Sequence, residues 1–375
     1  MSTPTTGSST EASPTPPSED HPEEQTKHGP SGQAALLRQV ASSPAIVGLL
    51  AVLTALILSS ILILAADSEV RYTATYLLNR PGDFLHAAGS TLSEAYSSLL
   101  RSALFDWRAT TGVRMIRPIT DTLTNATPLI IAGLGMAVAF RAGLFNIGGQ
   151  GQMILGAITA CYVGIAWNLP PVAHLLLAVV GAALGGLVWG GIAGVLKART
   201  GANEVIVTIM LNSIAAHLLS QVLSLKAFNG EGETGNRKSL TVADAAQYPW
   251  LAGDSFRLHA GFLLALLVAV AVWWLMERSR LGFQLRATGL NADAARTAGM
   301  SVPWVTSLVM MISGALCGLA ATAPVLGTQK SMDESVVGTI GFDAITVALL
   351  GRSRPVGTVL AGLLFGALRA GGTAM

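Results

Sequence analysis

Two apolar blocks, 258–276 and 304–326, flank a short polar, cationic run, Arg286-Ala-Thr-Gly-Leu-Asn-Ala-Asp-Ala-Ala-Arg-Thr-Ala-Gly299. Each block approaches the ~20 residues that cross hydrocarbon as a helix. The run between them must then face water on one side of a membrane. Asn291 and Asp293 can cap a short helix there, Ala294-Ala295 gives it a small face, and Gly289 and Gly299 bound it. Composition alone reads it as an ordinary basic loop.

Such blocks recur along the chain. Apolar residues make up 51% and charged residues only 12%, against about a quarter charged in a soluble domain. In lipid, every backbone N–H and C=O needs an internal partner, so the spans are helices or a closed barrel. Continuous apolar runs, without two-residue alternation, choose helices. The expected fold is an all-α polytopic bundle of about eight or nine transmembrane or re-entrant helices. The segments are read at 45–66, 124–140, 142–167, 172–196, 203–226, 258–276, 304–326, 339–350 and 356–371.

Residues 1–30 are rich in Ser, Thr, Pro and Glu and almost lack large apolar side chains. They cannot bury enough surface to offset ordering. The chain is therefore divided into a disordered cytoplasmic tail, 1–40, and one transmembrane domain, 41–375. The first block begins too deep for a cleaved signal peptide. Within the domain, 67–123 is read as largely extracytoplasmic or interfacial. Leu85, Ala88, Leu92, Ala95 and Leu99 form one stripe there, which suits a helix lying along the interface or one packed on the bundle. Residues 277–303 are read as a cytoplasmic loop.

Orientation follows from short basic connections. Lys197 and Arg199 lie in one, and Arg278, Arg280, Arg286 and Arg296 in another two spans later, so both can be cytoplasmic. Lys27 and Arg38 before the first span place the N-terminus inside. The 67–123 segment cuts against this, since it would be external yet carries Arg71, Arg80, Arg101, Arg108, Arg114 and Arg117.

No enzyme constellation is present. A phosphate loop of the Gly-x4-Gly-Lys-Ser/Thr type is missing, so the chain does not hydrolyse ATP itself. The six histidines show no ligand spacing, and Cys161 and Cys317 sit in apolar blocks; no metal or cofactor is expected. Net charge is near zero, which gives no electrostatic case for nucleic acid.

Three polar interruptions remain. In Phe140-Arg-Ala-Gly-Leu-Phe-Asn-Ile-Gly-Gly-Gln-Gly-Gln152, Asn146, Gln150 and Gln152 either line a polar path between broken helices or cap the ends of a tight turn. In Gly201-Ala-Asn-Glu-Val-Ile-Val-Thr-Ile-Met-Leu-Asn212, Asn203 caps a helix, Glu204 suits its positive end, and Thr208 and Asn212 share one face. That face looks toward a water-filled path or a neighbouring helix. In Gly341-Phe-Asp-Ala-Ile-Thr-Val-Ala-Leu-Leu-Gly351, Asp343 is read first as the N-cap of a half-helix, and alternatively as a lining group.

Taken in order, the blocks 140–152, 201–214, 286–299 and 341–371 resemble the permease family of ABC importers for branched-chain amino acids, simple sugars and nucleosides. They are most similar to the longer subunit of the nucleoside-uptake branch. The resemblance implies a pore shared with a second homologous permease in a bacterial cell membrane. It also implies a separate ATPase, often with two fused cassettes, and an extracellular binding lipoprotein. It assigns Arg286, Gly289, Asn291, Ala295, Arg296 and Gly299 to the ATPase contact. Asn146, Gln150, Gln152, Thr208, Asn212 and Asp343 become candidates for the translocation path or its scaffold. The family continues with a further hydrophobic helix beyond the equivalent of Met375, so the resemblance also implies a truncated frame or fragment. Sugar or amino-acid permeases are the alternatives within the family. An ion-coupled transporter would call for buried acid pairs, and the spans hold few acids. A membrane scaffold without a pore is a further alternative.

Overall fold

The computed structural model describes residues 44–229, 237–253 and 255–373, and every regular element among them is helical. The expected disordered tail, 1–40, lies outside the described residues. The chain forms two compact units divided between Ala88 and Gly89.

In the first unit, α1 (Pro44–Ala66) meets α2 (Ser68–Ala74) at a bend of 80°. Asp67 produces the break by capping α2, its carboxylate accepting from the Val70 N–H at 2.9 Å. The stripe from Leu85 to Leu99 lies on one helix, α3 (Pro81–Ala103), which crosses the boundary between the units.

The second unit is built around α4 (Gly112–Arg141). This helix starts well before the span expected at 124, because Thr120, Thr124 and Thr127 hide their hydroxyls on carbonyls of the preceding turn. After it come α5 (Gly149–Ala166), α6 (Pro171–Thr200), α7 (Glu204–Leu223) and the short α8 (Lys226–Asn229). Next are α9 (Gly261–Arg278), α10 (Arg280–Leu290), α11 (Ala292–Thr297) and α12 (Val302–Ala320). The last runs into a π-helical turn, Ala323–Thr328, and α13 (Ile340–Leu350) and α14 (Pro355–Gly372) close the described chain.

Six helices among the described residues are long and apolar enough to cross a membrane, or seven if the bent α1–α2 pair is one span. The helices α5 and α13, expected among the eight or nine segments, lie outside that set. The eleven residues of α13 make a half-helix, which fits the re-entrant class. Burial sorts the spans. In the apolar window of α4, 83% is buried in protein, against 22% for α7, so α4 is central and α7 peripheral.

The seam between α6 and α12 is glycine on both sides. A Cβ on Gly190 would stand 3.0 Å from the Gly314 Cα, and one on Gly318 would stand 3.0 Å from the Gly186 Cα. Small residues four apart let the backbones touch, and van der Waals contact then does what the hydrophobic effect cannot do inside lipid.

Candidate functional site

The interruption at 140–152 folds into a buried amide knot. After α4 ends, Gly143 takes φ +72° and the chain turns back toward α5. Asn146 is fully buried; its amide donates to Gln152 Oε1 at 3.0 Å and to Ser313 Oγ at 2.9 Å. Its oxygen accepts from the Gly148 N–H at 2.8 Å. Asn212 of α7 accepts from the Gly151 N–H at 2.8 Å and donates to the Ile147 carbonyl at 2.9 Å. A neighbouring helix thus satisfies a first-turn donor of α5, whose own N-cap, Gly148, has no side chain to do so. Thr208 is buried and bonds back to the Glu204 and Val205 carbonyls. Asn146, Gln152 and Thr208 thus have their polar groups engaged within the second unit.

Gln150 and Asn212 reach an open cleft of about 570 Å³, together with Ser213, His217, Ser220, Arg237, Glu334 and Phe342. Gln150 fastens the start of α13, donating to the Gly338 carbonyl at 2.6 Å and accepting from the Gly341 N–H at 3.1 Å. Arg237 bridges Glu334 at 3.1 Å. Hydrogen bonds from Ser220 and Arg237 hold the Glu334 carboxyl below its ordinary range. A smaller cavity of about 150 Å³ includes Asn125, His259, Gln329 and Arg369 in its lining.

Asp343 is not the expected N-cap. Thr339 occupies that position, and Asp343 sits one turn in, accepting from Thr339 Oγ1 at 2.9 Å with Arg369 at 3.7 Å. The backbone satisfies its own first turn here, with Gln150 serving Gly341, so the carboxylate is left to pair with a cation from α14.

The cationic run forms a helical hairpin rather than one short helix. Ser279 caps α10, accepting from the Gly282 N–H at 2.9 Å. Asn291 caps α11, accepting from the Asp293 and Ala294 N–H groups at 3.0 Å. Gly299, at φ +83°, follows it. Gly289 lies inside α10 instead of bounding the hairpin. A Cβ there would stand 2.6 Å from the Arg141 carbonyl oxygen, so glycine is needed for close approach. Ala295 is turned inward, and Arg296 is outward and paired with Asp293 at 3.0 Å. Arg286 is half-buried, 3.9 Å from Glu277.

The same end of the second unit holds the Lys197–Glu204 pair at 2.8 Å, with the Phe145 backbone also bonded to the Glu204 carboxylate. Arg141 donates to Glu277 and, at 3.0 Å, to the Ser353 carbonyl. The basic connections thus gather at one end of the second unit.

Sequence reasoning missed three features. Leu290, the last residue of α10, is 89% exposed. Glu277 gave no local signal. The Ser213, His217 and Ser220 set was visible as a polar stripe but stood next to the better-marked Asn212.

A bundle of long apolar helices broken around a polar knot, with a cleft on one flank and a basic hairpin at one end, has the make-up of a multi-pass membrane protein. Residues 119–375 match the family described as the permease component of branched-chain amino acid transport systems, and the chain belongs to that family. It is 40% identical to the guanosine ABC transporter permease protein NupP of Bacillus subtilis, over 76% of this chain and 79% of that protein. It is 39% identical to the glucose ABC transporter permease protein TsgB13 of Haloferax volcanii, over 68% and 70%. It is 33% identical to the nucleoside ABC transporter permease protein NupB of Lactococcus lactis, over 69% and 73%. No solved structure matches the chain.

Proposed function

We propose that the chain is a permease subunit of an ABC importer that takes up nucleosides across a bacterial cell membrane. The observation that carries the substrate is the 40% identity to a guanosine permease over three quarters of the chain, with a second nucleoside permease at 33%. The cleft beside Gln150 and Asn212 supports it. Its volume lies within the ~300–1,000 Å³ of small-molecule sites, and its lining combines the neutral hydrogen-bonding groups Gln150, Asn212, Ser213, His217 and Ser220 with apolar side chains and one ion pair. Glucose is the second reading, favoured by the 39% identity to a glucose permease.

In this reading the N-terminus and the hairpin 277–303 are cytoplasmic. The ATPase docks on Arg286, Asn291, Arg296 and Gly299, with Leu290 as its apolar anchor. Gly289 and Ala295 fix the hairpin's shape. A second homologous permease completes the path along the α7 cleft, and an extracellular lipoprotein delivers substrate. ATP binding supplies the free energy, and the permease only has to be bistable. The test is uptake into vesicles carrying the complete complex, with labelled guanosine competed by uridine, glucose or leucine. Competition by uridine alone supports nucleosides; competition by glucose alone moves the assignment to sugars.

A further inference from the structure

The exposed face of α7 gains polar groups halfway along, beside the still exposed Ile214 and Leu218. Its first turns present Ile206, Ile209 and Met210, 58%, 47% and 61% exposed. Ser213, Ala216 and His217 follow on that side, all exposed. Ser213 stands nine residues after Glu204, ~14 Å along the axis at 1.5 Å per residue. That is mid-span, where a polar side chain facing lipid is costly. The Ser213 hydroxyl does not bond back to a carbonyl of its own helix, as Thr208 does, and neither it nor the His217 imidazole has a partner among the described residues. These two groups are therefore available to something that enters the cleft.

Phe342, in the first turn of α13 and 46% exposed, lines the same cleft. Its backbone is fixed by the Gln150 clamp on Gly338 and Gly341. The result is an aromatic side chain on an anchored half-helix, sharing one cleft with a hydroxyl and an imidazole four residues apart on one helix. The charges among the lining groups, Arg237 and Glu334, neutralise each other. This arrangement suits an uncharged ligand with a flat face, such as a heteroaromatic ring, better than a nucleotide, whose phosphate would find its cation already paired.

We infer that Phe342, Ser213 and His217 form a base-recognition subsite in the translocation cleft. Phe342 stacks on the heteroaromatic ring, and Ser213 and His217 hydrogen-bond its edge. The inference deepens the nucleoside-import reading and rests on it. Stacking of a base on an aromatic side chain is worth ~1–3 kcal/mol, so loss of the ring should cost about tenfold in uptake.

The test uses the complete import complex in vesicles, with Phe342→Leu, Phe342→Trp and the double variant Ser213→Ala/His217→Leu. ATPase activity and chain abundance are measured in parallel. Expected is about a tenfold loss of guanosine uptake for Phe342→Leu, uptake within about twofold of the parent for Phe342→Trp, and a changed guanosine-to-uridine ratio for the double variant. Should Phe342→Leu not assemble, the double variant alone decides by that ratio. Unchanged guanosine uptake in Phe342→Leu, or an unchanged ratio in the double variant, overturns the subsite and leaves nucleoside import standing. Failure of the parent complex to take up any nucleoside overturns both.

Discussion

The Arg141 guanidinium lies 2.7 Å from the Glu277 carboxylate, joining the last residue of α4 to the penultimate residue of α9. Its Nε also donates to the Ser353 carbonyl in the turn between α13 and α14, where Arg352 and Ser353 take φ +55° and +52°. Glu277 in turn faces Arg286 of the hairpin. Arg141 and Glu277 together thus link the hairpin to the turn after the half-helix that borders the cleft. Such a chain of contacts joins the hairpin to α13 by position, and the coupling it would carry is a prediction.

Arg141→Gln should therefore cost transport more than stability. The pair is partly solvated, so its contribution to folding is about 1 kcal/mol or less. Uptake per ATP hydrolysed should fall severalfold while chain abundance changes little. Glu277→Gln should act in the same direction. Exchanging the two residues should not restore coupling, because the Ser353 carbonyl needs a donor at position 141. Paired uptake and ATPase assays check this.

Asn146→Ala should destabilise the fold. It strands Gln152, Ser313 and the Gly148 N–H in a dry interior, at about 1–3 kcal/mol for each buried group left unpaired. Thermal unfolding of the purified protein in detergent should show a clearly lowered midpoint. Gln150→Ala, at a partly open position, should cost less.

These two predictions mark where the sequence was legible. Long apolar runs announced the spans because continuous hydrophobicity is local information. Asn203 and Asn291 announced their caps for the same reason, since a cap acts within three residues. The partners of Asn212, Arg141 and Asp343 could not be read that way. Gly151 is 61 residues from Asn212, and Glu277 is 136 from Arg141. Only the packed bundle brings them together, and packing turned Asp343 from an expected cap into an ion-pair partner. The early start of α4 was hidden by threonines, which look polar in sequence but satisfy themselves on their own helix. Gly289 looked like a boundary because close helix approach and helix termination use the same residue.

Gly318→Ala should be among the most damaging small changes. A Cβ there would stand 3.0 Å from the Gly186 Cα, against backbone that cannot rotate away. Overpacking of this kind costs ~1–3 kcal/mol. Reduced abundance of folded protein and a lower unfolding midpoint are expected, whereas Gly299→Asn, in open space at positive φ, should be mild.

Acid should weaken the described loop before α9. His259 accepts from the Gly261 N–H at 3.1 Å and stacks on Tyr248, and burial holds its pKa down, from 6.5 to about 4. Above pH 6.5 both folded and unfolded forms are neutral, and the group has no effect. Between 6.5 and 4 the unfolded chain binds a proton that the folded chain refuses, so stability falls as pH falls, by up to ~3 kcal/mol. The drop in unfolding midpoint over this window should shrink in His259→Gln.

Leu290→Asp should abolish docking of the ATPase without unfolding the permease. Its side chain touches little of its own chain, so the folding cost is under ~0.5 kcal/mol, while a desolvated anchor at an interface is worth ~2 kcal/mol or more. Co-purification of the two subunits should be lost while the permease's unfolding midpoint stays unchanged.

Everything in this account requires the hairpin to lie in the cytoplasm, where ATP is. Ala292 is exposed at the start of α11, and the two native cysteines are buried. The direct measurement is labelling of Ala292→Cys in intact cells with a membrane-impermeant thiol reagent, with Asp244→Cys at the opposite end as the accessible control. The account predicts that position 292 reacts only after the cells are broken, while position 244 reacts at once. Labelling at position 292 in intact cells, with position 244 protected, would contradict it.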